Sequence, residues 1–379
     1  MISTFTHLHV HTQYSLLDGF SPITKLLDYA QELDMNSIAI TDHGSMFGTV
    51  EFYKEAKKRG IKPIIGCEIY TVNGSYLEKN PNNKNYNHLI LLAENQIGYK
   101  NLMKIVSLGY VDGFYYKPRV DKEVLRKYSE GIIALSACLK GEVQENLVLN
   151  GYEYGKKVAL ELNDIFGQGN FFLELQNHGL PEDKLVLSEL NKLSKETNIP
   201  MVATNDVHYV KKDDWKIHDI LLCIQLGMTL EEKKLKGMNY APAEFYLRSP
   251  EEMEEMFGKY DGAIENTNKI AERCNVELDF DHMHLPYFEI PEGFTNESYL
   301  EKLTYEGLEK RYLTIDEKIK KRCEFELNTI KSMGFVDYFL IVWDFIRFAK
   351  EQKIPVGPGR GSAAGSIVSY ALGITDIDP

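Results

Sequence analysis

The chain has 379 residues, 44% hydrophobic and 26% charged, with a net charge of −13. This is an ordinary soluble composition, long enough for one large α/β domain and a smaller one, and its acidity argues against a surface that coats nucleic acid by neutralising phosphate with Lys and Arg. No run of about 18 uncharged apolar residues offers a membrane span, the start M-I-S-T-F-T-H lacks a signal-peptide layout, and five unclustered cysteines suit reduced thiols in the cytoplasm better than a disulfide framework.

Strand-like and helix-like runs alternate from the start. Residues 3–11 read as a strand, and 22–34 as a helix with Ile23, Leu26, Leu27, Ala30 and Leu33 at helical spacing. Ser37–Thr41 is the next strand, followed by a helix near 49–59 closed by Gly60. Strands Lys62–Tyr70 and His88–Ala93, a helix near 97–108 and strand Gly131–Ser136 come next. Phe171–Gln176, a helix near 182–197 and strand Pro200–Thr204 complete the series. Repeated β–α units predict parallel strands with right-handed crossovers. A closed β/α barrel fits best, with an open doubly wound sheet as the alternative. Residues 213–280 read as mostly helical, and Pro286, Pro291 and Gly293 mark a linker. Three helical stretches follow, near 296–312, 314–333 and 336–352, the last carrying an apolar run Phe339–Phe348 expected to stay partly uncovered. The division this predicts is 1–280 and 281–379.

Polar groups able to bind metal recur where the apolar runs stop. The units are T-H-L-H-V-H-T (His9, His11), I-A-I-T-D-H-G (His43), I-I-G-C-E (Glu68), Y-N-H-L-I (His88), I-A-L-S-A-C (Cys138) and M-V-A-T-N-D-V-H (Asp206, His208), with Asp18 shortly after the first strand. Strand ends collected on one rim of a barrel are where metal and catalytic groups converge. His9 and His11 are two apart on a strand, so both leave one face, and Asp206 with His208 repeats the spacing. His7 shares that face but is expected to be a core or supporting histidine. Imidazole, carboxylate and thiolate together suit Zn, Mn or Fe rather than Ca or Mg alone. Paired ions activate water and clamp both oxygens of a phosphoryl displacement, and they would place positive charge where an acidic chain otherwise has none. Among the candidates, His9, His11, Asp18, Glu68 and His208 are expected to take part in catalysis, with Glu68 as the bridge.

H-L-H-V-H-T-Q-Y-S-L-L-D-G, A-I-T-D-H-G, G-I-K-P-I-I-G-C-E, N-H-L-I-L-L-A, A-L-S-A-C and A-T-N-D-V-H-Y resemble the PHP (polymerase and histidinol phosphatase) family, in the form carried by bacterial DNA polymerase III alpha subunits of the DnaE type. M-G-F-V-D-Y-F-L-I-V-W-D-F-I and V-G-P-G-R-G-S-A-A-G-S resemble the beginning of that polymerase's palm. The resemblance implies a distorted seven-stranded β/α barrel whose nine ligands are His9, His11, Asp18, His43, Glu68, His88, Cys138, Asp206 and His208, holding roughly two to three divalent transition ions. It implies a metal-dependent phosphoesterase or 3′→5′ exonuclease. It also gives Arg360, Gly361 and Ser362 a role in holding a nucleoside triphosphate, although a glycine-rich turn before a helix reads the same way. The carboxylates that bind the polymerase's Mg belong to a later motif, so these 379 residues are not expected to incorporate nucleotides. DNA, a sliding clamp and a separate proofreading exonuclease are the implied partners. The stretch G-F-Y-Y-K-P-R mixes aromatics with cations as single-strand binding surfaces do, making Lys117 and Arg119 candidate DNA contacts. A small-molecule phosphatase and a non-catalytic metal-stabilised scaffold remain as competing readings.

Overall fold

The computed structural model describes residues 5–81, 84–235, 244–280, 286 and 288–379. Residues 3 and 4 of the expected first strand, 236–243 of the expected helical stretch and residue 281 at the expected boundary lie outside the described residues. Two compact units are present, Met1–Leu278 and Asp279–Pro379.

The first unit is built on a curled mixed sheet of seven strands: β1 Ser37–Ile40, β2 Lys62–Thr71, β3 Asn87–Ala93, β4 Arg119–Val120, β5 Ile132–Leu135, β6 Phe171–Leu175 and β7 Met201–Ala203. The order is β1-β2-β3-β5-β6-β7, with β4 beside β2. Residues 7–11 do not form a regular strand. They bridge β1 at His7–Ile38 and the chain after β7 at Val10–Val207, and so link the sheet's two ends.

The expectation of parallel strands holds for β1–β2, β5–β6 and β6–β7 and fails at β3, which runs antiparallel to both β2 and β5. The cause is the connection. Among the described residues no α-helix lies between β2 and β3, and without a crossover helix the chain returns antiparallel. Two helices absent from the sequence reading, Glu142–Leu149 and Tyr152–Phe166, supply the crossover from β5 to β6. Gly151, at φ 88°, separates them.

Alternation along the strands divides the sheet into two faces. Ile38, Ile65, Leu91, Leu173 and the helices outside form one buried cluster. Ala39, Ile64, Ile90, Ile133, Phe172 and Val202 form the inner one, with Ile270, Ala271 and Cys274 at one end of it. Glu68, His88 and Glu174 lie two or four residues from Ile64, Ile90 and Phe172, so they share the inner face and occupy its other end.

In the second unit, helices Asn296–Arg311, Glu317–Ser332 and Val336–Glu351 and the short Ile367–Ala371 enclose Leu300, Leu308, Cys323, Leu327, Leu340 and Val368. Phe345 and Phe348 remain exposed on the apolar run, as expected. Arg360, Gly361 and Ser362 open a 3-10 turn just before Ile367–Ala371 and are themselves exposed. The backbone N–H of Val368 and the Ser366 hydroxyl already donate to the Glu326 carboxylate.

Candidate metal centre

All nine candidate ligands gather at one rim of the sheet. His9 Nε2 lies 3.1 Å from His11 Nε2, and Asp206 Oδ1 is 3.1 Å and 3.2 Å from the same two atoms. Glu68 sits beside them. Its Oε1 is 2.7 Å from His88 Nδ1 and 3.5 Å from His9 Nε2. Its Oε2 is 3.6 Å from His11 Nε2 and closer still to His43 Nδ1. Asp18 joins His43 Nε2 at 3.2 Å and His208 Nε2 at 3.7 Å. Cys138 Sγ is 3.7 Å from His88 Nδ1. Three groups bring their ligand atoms within 4.8 Å of one another: His9, His11 and Asp206; His43, Glu68 and His88; and His11, His43 and His208.

Backbone direction explains how separate runs reach one place. His43, Cys138 and Asp206 each follow a strand by three residues, whereas His88 opens β3 instead of following it. The antiparallel course of β3 sets His88 opposite Tyr70, at the same edge as the end of β2. Three ligands sit at or beside residues in the left-handed region: Leu17 (φ 63°) before Asp18, Ala137 (φ 65°) before Cys138, and Asp206 itself (φ 46°). Such conformations cost about 1–2 kcal/mol each for residues with a Cβ, and they mark places where side-chain aim outweighs local ease. The loop carrying Asp18 also closes tightly, since a Cβ on Gly19 would stand 1.9 Å from the Thr12 carbonyl oxygen. Gly19→Ala is expected to cost roughly 2–3 kcal/mol of stability, as backbone overpacking does. Denaturant midpoints measure this, and a wild-type midpoint would contradict it.

The hydrogen bonds behind the rings assign their tautomers. His9 Nδ1–H donates to Glu174 Oε1 at 2.7 Å. His11 Nδ1–H donates to Ser15 Oγ at 3.0 Å, and that hydroxyl in turn donates to Asp42 Oδ1 at 2.7 Å. In the neutral rings each Nε2 is then left as an acceptor facing the other ring and Asp206; without a cation between them, Asp206 and Glu174 hold a second proton on His9 instead. Glu68 Oε1 and Oε2 and Asp206 Oδ1 are buried and accept no hydrogen bond of proper geometry, close as the imidazoles are. Buried carboxylate oxygens without a well-aligned donor, ringed by inward imidazole nitrogens, make a pocket that a cation would satisfy. The donor set therefore fits transition ions held by imidazole and carboxylate.

Charge within the cluster is distributed accordingly. Burial disfavours the imidazolium of His9, but Asp206 and Glu174 outweigh it and raise that ring well above its ordinary value. Burial, with His43 and His208 nearby, holds His11 far below it. His43 is pushed up to about 10, Glu68 and Asp18 overcoming its burial. Burial opposes ionisation of Glu68 and Asp206, yet His88 and His43 pull the first well down, and His9 and His208 the second. Burial, then the Asp206 and Glu68 carboxylates, pushes the Cys138 thiol up.

Other residues lie elsewhere or were missed. His7 is buried outside the cluster, with Nε2 on the Arg248 carbonyl at 2.9 Å, as expected of a core histidine. Arg119 corrects the sequence reading. It is fully buried, its guanidinium spent on the Gly113 and Glu78 carbonyls, because β4 carries it inward beside β2. It cannot meet DNA there. Lys117 stands over the Tyr70 ring at 5.2 Å and lines a cavity that opens on Asp18, His43 and His88. Glu174 was missed, although a lone acid inside the apolar F-F-L-E-L is a visible signal. His218 Nε2, 3.4 Å from Asp18 Oδ1, comes from the helix Trp215–Leu226 and has no sequence signal of its own.

A curled sheet with imidazoles and carboxylates collected at its rim defines a β/α domain with a candidate metal site, and residues 7–178 match the PHP domain family. Residues 298–379 match the family described as "Bacterial DNA polymerase III alpha NTPase domain". The chain belongs to the bacterial DNA polymerase III alpha subunit family. It is 50% identical over all of its length to the DNA polymerase III subunit alpha of Borreliella burgdorferi, covering 33% of that protein. It is 46% identical over 99% of its length to that of Treponema pallidum, covering 32%. The chain thus spans about a third of the length of these relatives. Among solved structures, an amidohydrolase from Chromobacterium violaceum aligns at TM-score 0.39 and 13% identity, over 57% of this chain and 96% of its own. A two-domain protein from Bacteroides vulgatus containing a predicted PHP-like metal-dependent phosphoesterase aligns at TM-score 0.35 and 15% identity, over 69% of this chain and 62% of its own. Among the described residues no helix is long and apolar enough to cross a membrane.

Proposed function

We propose that the first unit is a metal-dependent phosphodiesterase acting on nucleic-acid ends, with the polarity of a 3′→5′ exonuclease, inside a cytoplasmic replicative polymerase subunit. The observation that carries this reading is the convergence of three groups of imidazole and carboxylate atoms, each within 4.8 Å of one another, around buried Glu68 and Asp206 oxygens that accept no hydrogen bond of proper geometry. His9, His11 and Asp206 would hold one ion, and His43, Glu68 and His88, with Cys138 beside them, a second. Asp18 and His208 are placed for a third. Zn, Mn or Fe in this set supplies Lewis acidity and an activated water.

The chain's own residues do the rest. Glu174 and the Ser15–Asp42 pair fix which nitrogen of each ring faces the site, a role such outer partners commonly have. His208 Nδ1 is tied to its neighbour's carbonyl, Asp206 O, at 2.8 Å. Its Nε2, turned toward Asp18, is therefore the atom left to meet that third ion. Lys117, at the cavity edge, would orient a phosphate. Arg360, Gly361 and Ser362, the Mg of a polymerase site, and DNA, clamp and proofreading partners belong to the whole polymerase and are proposed only on family membership.

A second reading has one observation behind it. His9, His11 and Glu68 are all 0% exposed, so the inner ion could serve only to hold the fold. Elemental analysis of the purified chain, together with turnover on a primer 3′ end and on a phosphomonoester, separates these readings. At least two ions per chain (about the minimum for paired-metal chemistry) and chelator-sensitive release of nucleotides from the primer are expected. Metal without hydrolysis leaves the scaffold, and preference for the monoester leaves a small-molecule phosphatase. Absence of metal removes all three.

A further inference from the structure

The cavity above the cluster holds about 330 Å³ and has a character of its own. Its floor is Asp18, His43 and His88. Its walls are aromatic, and they come from three separate parts of the chain. Tyr70 lies at the end of β2, Tyr86 just before β3, and Tyr110, Phe114 and Tyr116 around the turn that leads into β4. The rings form parallel pairs, with Tyr70 and Tyr86 edge to face at 5.0 Å. Tyr86 lies parallel to His88, centroids 6.0 Å apart and planes 4° from parallel, and Tyr70 lies nearly parallel to His43 at 6.2 Å. Across the opening, Tyr110 and Phe114 stack at 6.2 Å. Phe114 and Tyr116 are 48% and 68% exposed, so their faces are open to a ligand at the rim. The cations at the rim are placed on rings as well, Lys117 over Tyr70 and Lys84 over Tyr116.

We propose that this cavity is a stacking subsite for a single unpaired nucleobase, the terminal one of a single strand, whose backbone phosphate is thereby set over His43, His88 and Asp18. The volume lies at the small end of ligand clefts, which run from about 300 to 1,000 Å³. It admits one flat ring system with its sugar and leaves no room for a base pair. Flat aromatic walls suit a base of any identity, since every base presents a π-face and stacking is tolerant of sequence, and the polar groups among them face the sugar and phosphate. Lysines at the rim meet the phosphate, where an otherwise acidic chain would repel it. The end must therefore be frayed or single-stranded before it can enter. This inference rests on the phosphodiesterase reading and narrows its substrate to an unstacked end.

The test uses the full metal-loaded chain and two single-stranded oligonucleotides that differ only in their 3′-terminal residue, one intact and one abasic. Binding is measured by fluorescence anisotropy, and hydrolysis of bis(p-nitrophenyl) phosphate, which carries no base, is followed separately. Loss of one stacked base should weaken binding roughly tenfold or more. In a Phe114→Ala, Tyr116→Ala variant, both positions being on the surface, the ratio between the two ends should fall toward one. Equal binding of both ends by the wild type overturns the subsite, whatever the chromogenic ester does. Discrimination between the ends without any hydrolysis of the ester keeps the subsite and overturns the phosphodiesterase reading. Discrimination that survives in the variant moves the base elsewhere and overturns the assignment to this cavity.

Discussion

Glu68→Gln is expected to lower metal-dependent hydrolysis by at least about a hundredfold, beyond the 10–100-fold typical for outer partners of a metal site, and to reduce the metal content of the purified chain. The reason is its position. One oxygen faces His88 and His9, the other His43 and His11, so a single carboxylate touches four of the five ring ligands. Glutamine has the same size and leaves β2 in register with β1 and β3. It replaces one acceptor by an N–H2 group that cannot bind a cation and points donors where the cluster needs lone pairs. Folding should survive, because the substitution removes a buried charge without opening a cavity. The measurement is metal content by elemental analysis alongside initial rates on a primer end. Wild-type metal and rate in the variant would eliminate Glu68 as the bridge.

The site was more legible in the sequence than the sheet that carries it. Nearly every candidate ligand adjoins an apolar β-branched run, Asp18 being the exception, and a run that stops at a polar residue signals a strand edge whichever way the strand points. That is why His88 was found although its strand direction was misread: it opens β3, and the reversal of β3 carries it to the common rim. Strand direction depends on whether a helix intervenes. The stretch between Thr71 and Asn87, with its Asn, Gly and Pro, contains no helical period, and this was the sign that β3 would run antiparallel. Arg119 could not be placed from sequence. A cation beside aromatics reads as surface, and only the pairing of β4 with β2 turns it inward, where carbonyls at Gly113 and Glu78 satisfy it. Residues behind the ligands were harder still. Asp42 and Ser15 sit in loops rich in polar residues, and nothing local distinguishes the carboxylate that steadies His11 from one facing water. Glu174 differs because its strand is otherwise apolar. An acid buried at that point must answer a partner, and His9 is that partner.

Removal of metal by a chelator is expected to lower the thermal midpoint of the first unit by roughly 8 °C for each tightly held ion. A site filled at about a thousand times its dissociation constant adds about 4 kcal/mol of stability, and in a unit of this size each kcal/mol shifts the midpoint by about 2 °C. The structural ground is the set of acceptors left behind: both Glu68 oxygens and Asp206 Oδ1 are buried without a hydrogen bond of proper geometry. Stripped of cations, the rim holds buried carboxylates whose counter-charges are the protonated His9 and His43 rings, buried ion pairs that cost desolvation and that the rest of the first unit's core must absorb. The second unit offers an internal standard, since its core of Leu300, Leu308, Leu327 and Leu340 contains no candidate ligand and its unfolding should not respond. Scanning calorimetry with and without chelator measures the shift, and zinc or manganese added back should restore it. Glu68→Gln sharpens the comparison. If the ions are bound as proposed, the variant should lose less on chelation than the wild type, because part of its metal is already missing. Equal shifts in variant and wild type would mean that the chelator acts elsewhere on the chain and that the cluster holds no metal.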